Sequence, residues 1–295
     1  MDSSATASVP QRVSTITVSY GSAEVLPGLL SSLRDAYGSE LPITVADNNP
    51  ARAGVRDLSE HYAARYLPIP ENPGYGAAIN RAAESETEPR EWIFVCNPDL
   101  EVSPGCLEAL LAVADSDPQI GVLGPRILQP DGEIYPSARN VPSIRAGIGH
   151  ALFANIWPSN PWSANYHNRT EGSEPRDSGW LSGACLLIRR DVFTALGGFD
   201  DSYFMYFEDV DLGYRAGNAD WRNVYVPAAT VTHTGGHSTQ DSSGEMLLVH
   251  HRSAARFLGR KYSHPLLWPL RAVLNVGLGV RGHLLAAKAR RTQRH

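Results

Sequence analysis

The chain predicts an α/β fold built on a mostly parallel sheet. Two observations carry this. Short β-branched or apolar runs alternate with stretches of helical periodicity through the first hundred residues. Polar clusters, Ser19-Tyr20, Asp47-Asn48-Asn49 and Asn97-Pro98-Asp99, follow three of those runs. In parallel α/β sheets such positions, just past strand C-termini, face the ligand crevice.

The elements follow in order. Val13 to Tyr20 alternates and is β-branched, which predicts a strand. Ala23 to Ala36 has helical spacing, and Ile43 to Ala46 is a short buried strand. A helical stretch leads to a third strand, Tyr66 to Ile69, and Gly74 to Ala83 is a helix opened by glycine. Trp92 to Cys96 is a continuous apolar strand. From Tyr135 to Glu174 the chain is rich in Pro, Asn, Ser and Trp. That composition predicts a long loop region with a helical piece near Ile144 to Ile156, and its aromatic residues suit a docking surface. Trp180 to Ala184 leads into a strand, Cys185 to Ile188, and Asp191 to Leu196 is a short helix closed by two glycines. The run Phe204 to Leu212 opens a helix that extends to about Ala216. Val224 to Val226 and Thr230 to Thr232 are strands on either side of Pro227.

Composition is ordinary for a soluble globular protein of 295 residues, with 42% hydrophobic and 19% charged. Residues 1–11 are small and polar and predict a disordered tail, with no signal-peptide pattern. Cys96, Cys106 and Cys185 lack metal spacing, which suits buried thiols in a reducing cytoplasm. The net charge of −5 hides an asymmetry: residues 1–245 hold 16 arginines and all 31 acids, whereas residues 246–295 hold ten Lys or Arg and no acid. The acidic body argues against nucleic acid as the partner. The tail is also apolar, from Leu266 to Val280, and this mixture suits an anionic membrane surface. Arg271 and Arg281 interrupt it, so it falls short of a spanning helix. Its basic residues do not form one helical stripe, and packing of a basic helix on its own domain remains open.

Three places carry chemistry. Glu208, Asp209 and Asp211 follow an aromatic block. Their run fits either a helix N-terminus, where carboxylates favour the dipole, or a general base in a semi-dry cleft. Asp99, at a strand end, suits a hard divalent cation bridging to a diphosphate, and Asn97-Pro98-Asp99 also makes a good turn. Asn72-Pro73-Gly74-Tyr75-Gly76 opens a helix whose glycines allow close backbone approach, without the Lys of a phosphate-binding loop. With the acids, His233 becomes a candidate metal contact.

Together these residues resemble the family 2 glycosyltransferases with the GT-A fold, from about Val13 to His237. The resemblance implies a metal motif at Asn97-Pro98-Asp99, with Asp99 and His233 holding Mg²⁺ or Mn²⁺, and a Glu208-Asp209 pair whose Asp209 is the catalytic base. It implies a nucleotide-sugar site from Thr17, Val18, Ser19 and Tyr20, with Asp47 reading a pyrimidine. Asn72, Gly74, Tyr75, Gly76, Asn80, Asn97 and Asp99 complete that site. Tyr135 to Arg139, Trp180 to Gly183 and Phe204 to Tyr206 further resemble bacterial rhamnosyltransferases that act on lipid-linked sugars. This implies a dTDP-rhamnose donor and an N-acetylglucosaminyl-diphospho-polyprenol acceptor in cell-wall linker synthesis. The acceptor would meet Arg139, Trp180, Ser182, Gly183, Tyr206 and Glu208. Two departures stand out: Asn97 replaces the first metal-motif acid, and Asn49-Pro50-Ala51-Arg52 lacks the Ser and Asp usual in the family.

The implied division is a catalytic domain over 12–245, nucleotide-binding to about 130 and acceptor-binding from about 131. A basic apolar helical segment over 246–295 would place the enzyme on the cytoplasmic face of the membrane. A homodimer is left open. The alternatives are a transferase of the same fold with another sugar or acceptor, and a nucleotide-sugar-binding scaffold without turnover; retention of Asp99 and Asp209 speaks against the scaffold.

Overall fold

Strand β1 (Val13–Ser19) is buried along its length because it lies between two parallel neighbours, β2 (Ile43–Asp47) and β4 (Trp92–Cys96). The computed structural model describes residues 7–143, 172–234 and 244–292. The helical piece expected near Ile144 to Ile156, and His237, lie outside them. Outside β2 runs β3 (Arg65–Pro68), also parallel. On the other side of β4 the sheet continues through β11 (Cys185–Arg189), β6 (Ile120–Leu128), β12 (Arg222–His233) and β5 (Leu100–Val102), with β7 (Ile134–Tyr135) beside β6 and β9 (Arg176–Ser178) beside β12. β11 runs antiparallel to β4 and β6, β12 is parallel to β6, and β5 is antiparallel to β12. Four of the seven pairings along this path are therefore parallel, so the first half matches the expected sheet and the second half is mixed.

Helices cover both faces. On one, α2 (Leu26–Tyr37) buries Leu26, Leu29, Leu30 and Leu33, a stripe of helical period, in one cluster with α5 (Cys106–Ser116). On the other, α4 (Tyr75–Glu84) packs small residues such as Ala78 and Ala82 close to the strands, beside α7 (Glu208–Asn218). α3 (Val55–His61) and α6 (Arg190–Ala195) complete this domain's longer helices among the described residues.

Three expectations change. The last residues of the expected tail, Val9 to Gln11, form a helical turn with Arg12, α1 (Val9–Arg12), and Arg12 pairs with Asp115 and Glu91. The two strands around Pro227 are one strand, β12, with a register shift between Val226 and Thr230 that absorbs the proline's missing donor. Beyond residue 245 the chain is two different elements. α8 (Gly244–Lys261) docks on the domain, with Phe257 fully buried beside Tyr203 and Val210. α9 (Trp268–Thr292) folds back antiparallel on α8, with Gly244 against Ala286 and Gly282 against His251. Its outer face leaves Val273, Val276, Val280 and Leu284 exposed at helical spacing. No helix among the described residues is long and apolar enough to cross a membrane. All three cysteines are buried and free.

Candidate active site

The acids of α7 are positioned by an unusual backbone. Tyr206 and Phe207, immediately before the helix, both sit in the left-handed region, at φ 65° and 68°. That conformation costs roughly 1–3 kcal/mol per residue and persists only where surroundings impose it. Here they do. The Phe204 carbonyl accepts from the Tyr75 N–H at 3.0 Å, and the Ser253 hydroxyl donates to the Met205 carbonyl at 2.9 Å. The rings of Tyr206 and Phe207 both lie against His250, with centroids 5.4 and 5.5 Å away. Gly74, at φ 106°, is required at this contact: a Cβ there would sit 2.2 Å from the Phe204 oxygen.

The turn brings Asp209 to Gly183. The Gly183 N–H donates to Asp209 Oδ2 at 2.8 Å, and the Val210 N–H donates to Oδ1 at 2.8 Å. Burial raises the Asp209 carboxyl above its ordinary value, against the opposing pull of these amides and the nearby Arg139 charge. Glu208 is only 6% exposed, and its Oε2 has no partner. Burial first, then the Asp209 charge, pushes its carboxyl up to about 8. Asp211 is different. It is fully buried and paired with Arg215 on its own helix at 2.6 Å and with Arg260 of α8 at 2.8 Å. All three acids stand in the first turn of α7 and differ in their partners, backbone amides for Asp209 and two arginines for Asp211.

Gly183 and Ala184 join this helix to the end of β4. The Ala184 carbonyl accepts from the Asn97 N–H at 2.8 Å, and the Gly183 carbonyl accepts from the Tyr75 hydroxyl at 2.8 Å. Two residues on, Asp99 is nearly buried and its Oδ1 lies 2.9 Å from His233 Nε2. The antiparallel pairing of β5 with β12, His233 opposite Leu100, sets this distance. No group of three or more metal-ligating side chains exists among the described residues. The Asp99–His233 pair nevertheless fits a divalent cation that keeps substrate and water ligands. Its spacing is about the edge of an octahedron with ligands ~2.1 Å from the centre.

The residues expected at the nucleotide separate into two sets. Ser19 and Tyr20 reach the end of β1, and Tyr20 is exposed. Thr17 and Val18 lie inside the strand, buried, with the Thr17 hydroxyl unpartnered. Asp47 is fully buried, accepting from the Asn49 N–H at 3.1 Å and the Tyr66 hydroxyl at 3.0 Å. Asn48, not among the residues expected, is the better-placed amide. Its Nδ2 donates to the Gly74 carbonyl at 3.2 Å, while its buried Oδ1 lacks a partner. Asn72 has φ 42° at the entry to the same loop, and Gly76 packs on Phe199. Asn80 faces elsewhere: its amide is used up on the Phe199 backbone and Asp201.

On the acceptor side, β8 (Ala138–Arg139) pairs with β10 (Trp180–Leu181). Arg139 lies over the Tyr135 and Trp180 rings, 5.5 Å from each centroid, and donates to the Pro136 carbonyl at 2.7 Å. The Ser182 N–H donates to the Ser137 carbonyl. His250 was invisible in the sequence as a site residue, because no spacing rule links it to the acids some forty residues earlier. Burial lowers its pKa.

Comparisons with known proteins agree with this geometry. The family profile described as Glycosyl transferase family 2 matches residues 14–197. The chain is 42% identical over 290 residues to the N-acetylglucosaminyl-diphospho-decaprenol L-rhamnosyltransferase of Mycobacterium tuberculosis (strain H37Rv), covering 95% of this chain and 94% of that protein. Among solved structures, GalNAc-T7 with UDP, GalNAc and Mn²⁺ superposes with a TM-score of 0.61 at 14% identity, over 91% of this chain and 54% of its own. This chain therefore spans about half the length of that protein. S. aureus TarS 1-349 superposes with a TM-score of 0.56 at 16% identity, over 92% of this chain and 80% of its own. These two likenesses bear on the fold alone, which is the GT-A type.

Proposed function

We propose a specific reaction for this chain, which belongs to glycosyl transferase family 2 and is a glycosyltransferase: inverting transfer of L-rhamnose from dTDP-L-rhamnose to N-acetylglucosaminyl-diphospho-polyprenol, in cell-wall linker synthesis. One observation supports the chemistry most. A desolvated, amide-held carboxylate, Asp209, and the strand end that carries Asp99 meet at Gly183–Ala184. The sugar and the acceptor are carried over from the M. tuberculosis relative.

In this reading Asp209 takes the proton of the acceptor hydroxyl as that oxygen attacks the anomeric carbon from the face opposite the leaving group. The bond from the anomeric carbon to the diphosphate breaks, dTDP leaves, and the proton ends on Asp209. A base so placed contributes roughly 10²–10⁴-fold. Its two backbone donors fix the carboxylate's direction. Asp99 and His233 would hold Mg²⁺ or Mn²⁺, which when bound neutralises charge growing on the leaving diphosphate. Asp47 and Asn48 border the pyrimidine, and the Asn72–Gly76 loop covers the nucleotide. Glu208, Arg139, Trp180, Ser182 and Tyr206 line the acceptor. The exposed stripe of α9, in a segment of residues 246–295 rich in cations, holds the enzyme against the cytoplasmic face of the membrane.

The test is transfer of labelled rhamnose from dTDP-rhamnose to polyprenyl-diphospho-N-acetylglucosamine. Product is expected, lost with chelator and restored by Mg²⁺ or Mn²⁺. Turnover with UDP- or GDP-sugars in place of dTDP-rhamnose would overturn the donor assignment, and full activity in chelator would overturn the metal.

A further inference from the structure

We infer that the groove between α8 and α9 binds the prenyl diphosphate of the lipid-linked acceptor, an inference that rests on the acceptor class proposed above. The groove encloses about 740 Å³ between the two helices and the Ser202–Phe204 segment. Its walls carry Arg252, Arg256 and Arg271, and no carboxylate. α9 contributes Gly279 and Gly282 to its wall, and Gly282 lets the two helices approach closely, since a Cβ there would lie 3.1 Å from His251.

The charge arrangement calls for an anion. Arg252 and Arg256 are four residues apart on one helix, where like charges repel. Neither is paired with a carboxylate among the described residues, whereas Arg260, one turn on, is paired with both Asp200 and Asp211. Arg256 lies 5.9 Å over the Tyr203 ring, and Arg271 reaches in from the facing helix, anchored through one nitrogen to the Tyr262 and His264 carbonyls. Three guanidiniums suit the spread charge of a diphosphate. Leu248 and the half-exposed Phe204 give the same groove apolar wall, as a prenyl chain needs.

Position supports the assignment. Phe204 lines the groove and begins the loop that ends at Asp209. Ser253, also in the groove wall, holds the Met205 carbonyl of that loop. A diphosphate seated here lies beside that loop, with Leu248 and Phe204 as the apolar wall for its chain.

The experiment uses the full chain with farnesyl diphosphate as probe, against farnesol and inorganic pyrophosphate, by calorimetry, and compares Arg252→Gln/Arg256→Gln with the parent. Farnesyl diphosphate should bind the parent about tenfold or more tighter than either fragment, and the double variant should lose about tenfold or more of that affinity. In transfer assays the variant should raise KM for the lipid-linked acceptor by a similar factor, with kcat and donor KM unchanged. Unchanged farnesyl diphosphate affinity and acceptor KM would overturn the inference. So would loss of binding to phosphatidylglycerol vesicles with acceptor KM intact, which would mark a bilayer headgroup site. If the parent transfers no rhamnose yet binds farnesyl diphosphate through these arginines, the reaction proposed above fails and the groove stands.

Discussion

Asp209 is held by two opposed influences: burial that favours its neutral form and two backbone amides that favour its charge. A base needs both, since a fully solvated carboxylate is too weak and a fully desolvated one stays protonated. Asp209→Asn should therefore keep dTDP-sugar binding by calorimetry and lose turnover by roughly 10²–10⁴-fold. Glu208 makes the second prediction. The two acids titrate as a pair, so activity should rise with pH through a limb set by both. Glu208→Gln removes the upper of the two ionisations, near 8, so the limb should simplify to a single ionisation. The same variant has a signature in stability. The Glu208 carboxyl is raised from 4.5 to about 8 on folding, so its contribution is present below 4.5 and is lost as pH rises through 8. The Tm of Glu208→Gln should gain on the parent between pH 5 and pH 9; a constant difference would contradict this. The spacing of the acids in sequence made all three candidates. The two-residue offset on a helix already turned Asp211 away from Asp209 and gave it a capping or structural role, but its partner Arg260, on a helix 49 residues away, was not legible.

At the scale of elements, α7 is fastened to α8 by the Asp211–Arg260 pair and by Phe207 and Tyr214 against Phe257. Removing one member of a buried pair leaves the others uncompensated, so Asp211→Asn should cost about 3 kcal/mol in urea unfolding. It should also speed proteolysis after α8 residues. The strands from β1 to β4 and the helices between them were legible because their apolar patterns are strong and local. Residues 100–128 carried no assignment, although they supply α5 and the central strand β6. β6 has Gly124-Pro125 in its middle, a pair that marks turns in sequence. In the sheet the glycine makes room for Leu181, where a Cβ would lie 3.2 Å from its side chain. β12 misled for a similar reason: Pro227 splits its pattern, and only pairing with both β6 and β5 shows one strand.

The whole molecule joins an acidic catalytic body to a basic apolar hairpin of helices. The charge asymmetry was plain in sequence, and it suggested an anionic partner for the tail. What was not legible is that its first helix docks on the loop before α7, since docking depends on contacts between distant residues, such as Ser253 with Met205. The outer helix supplies the last prediction. Val276→Asp/Val280→Asp places charge on the exposed stripe, away from the groove and the acids. It should lower co-sedimentation with phosphatidylglycerol vesicles about tenfold while turnover of a short soluble acceptor stays at the parent level. Equal sedimentation would remove the membrane role of α9. The close approach of Gly74 to the Phe204 carbonyl has a kinetic consequence. In the proposed reading the loop over the nucleotide and the loop that ends at Asp209 are tied there by the Tyr75 N–H donating to the Phe204 carbonyl, so neither can settle without the other. Donor and acceptor should then raise each other's affinity by the same factor, as reciprocity requires. The ternary complex should accumulate in preference to either binary one, which limits wasteful hydrolysis of the sugar nucleotide by stray water before an acceptor arrives.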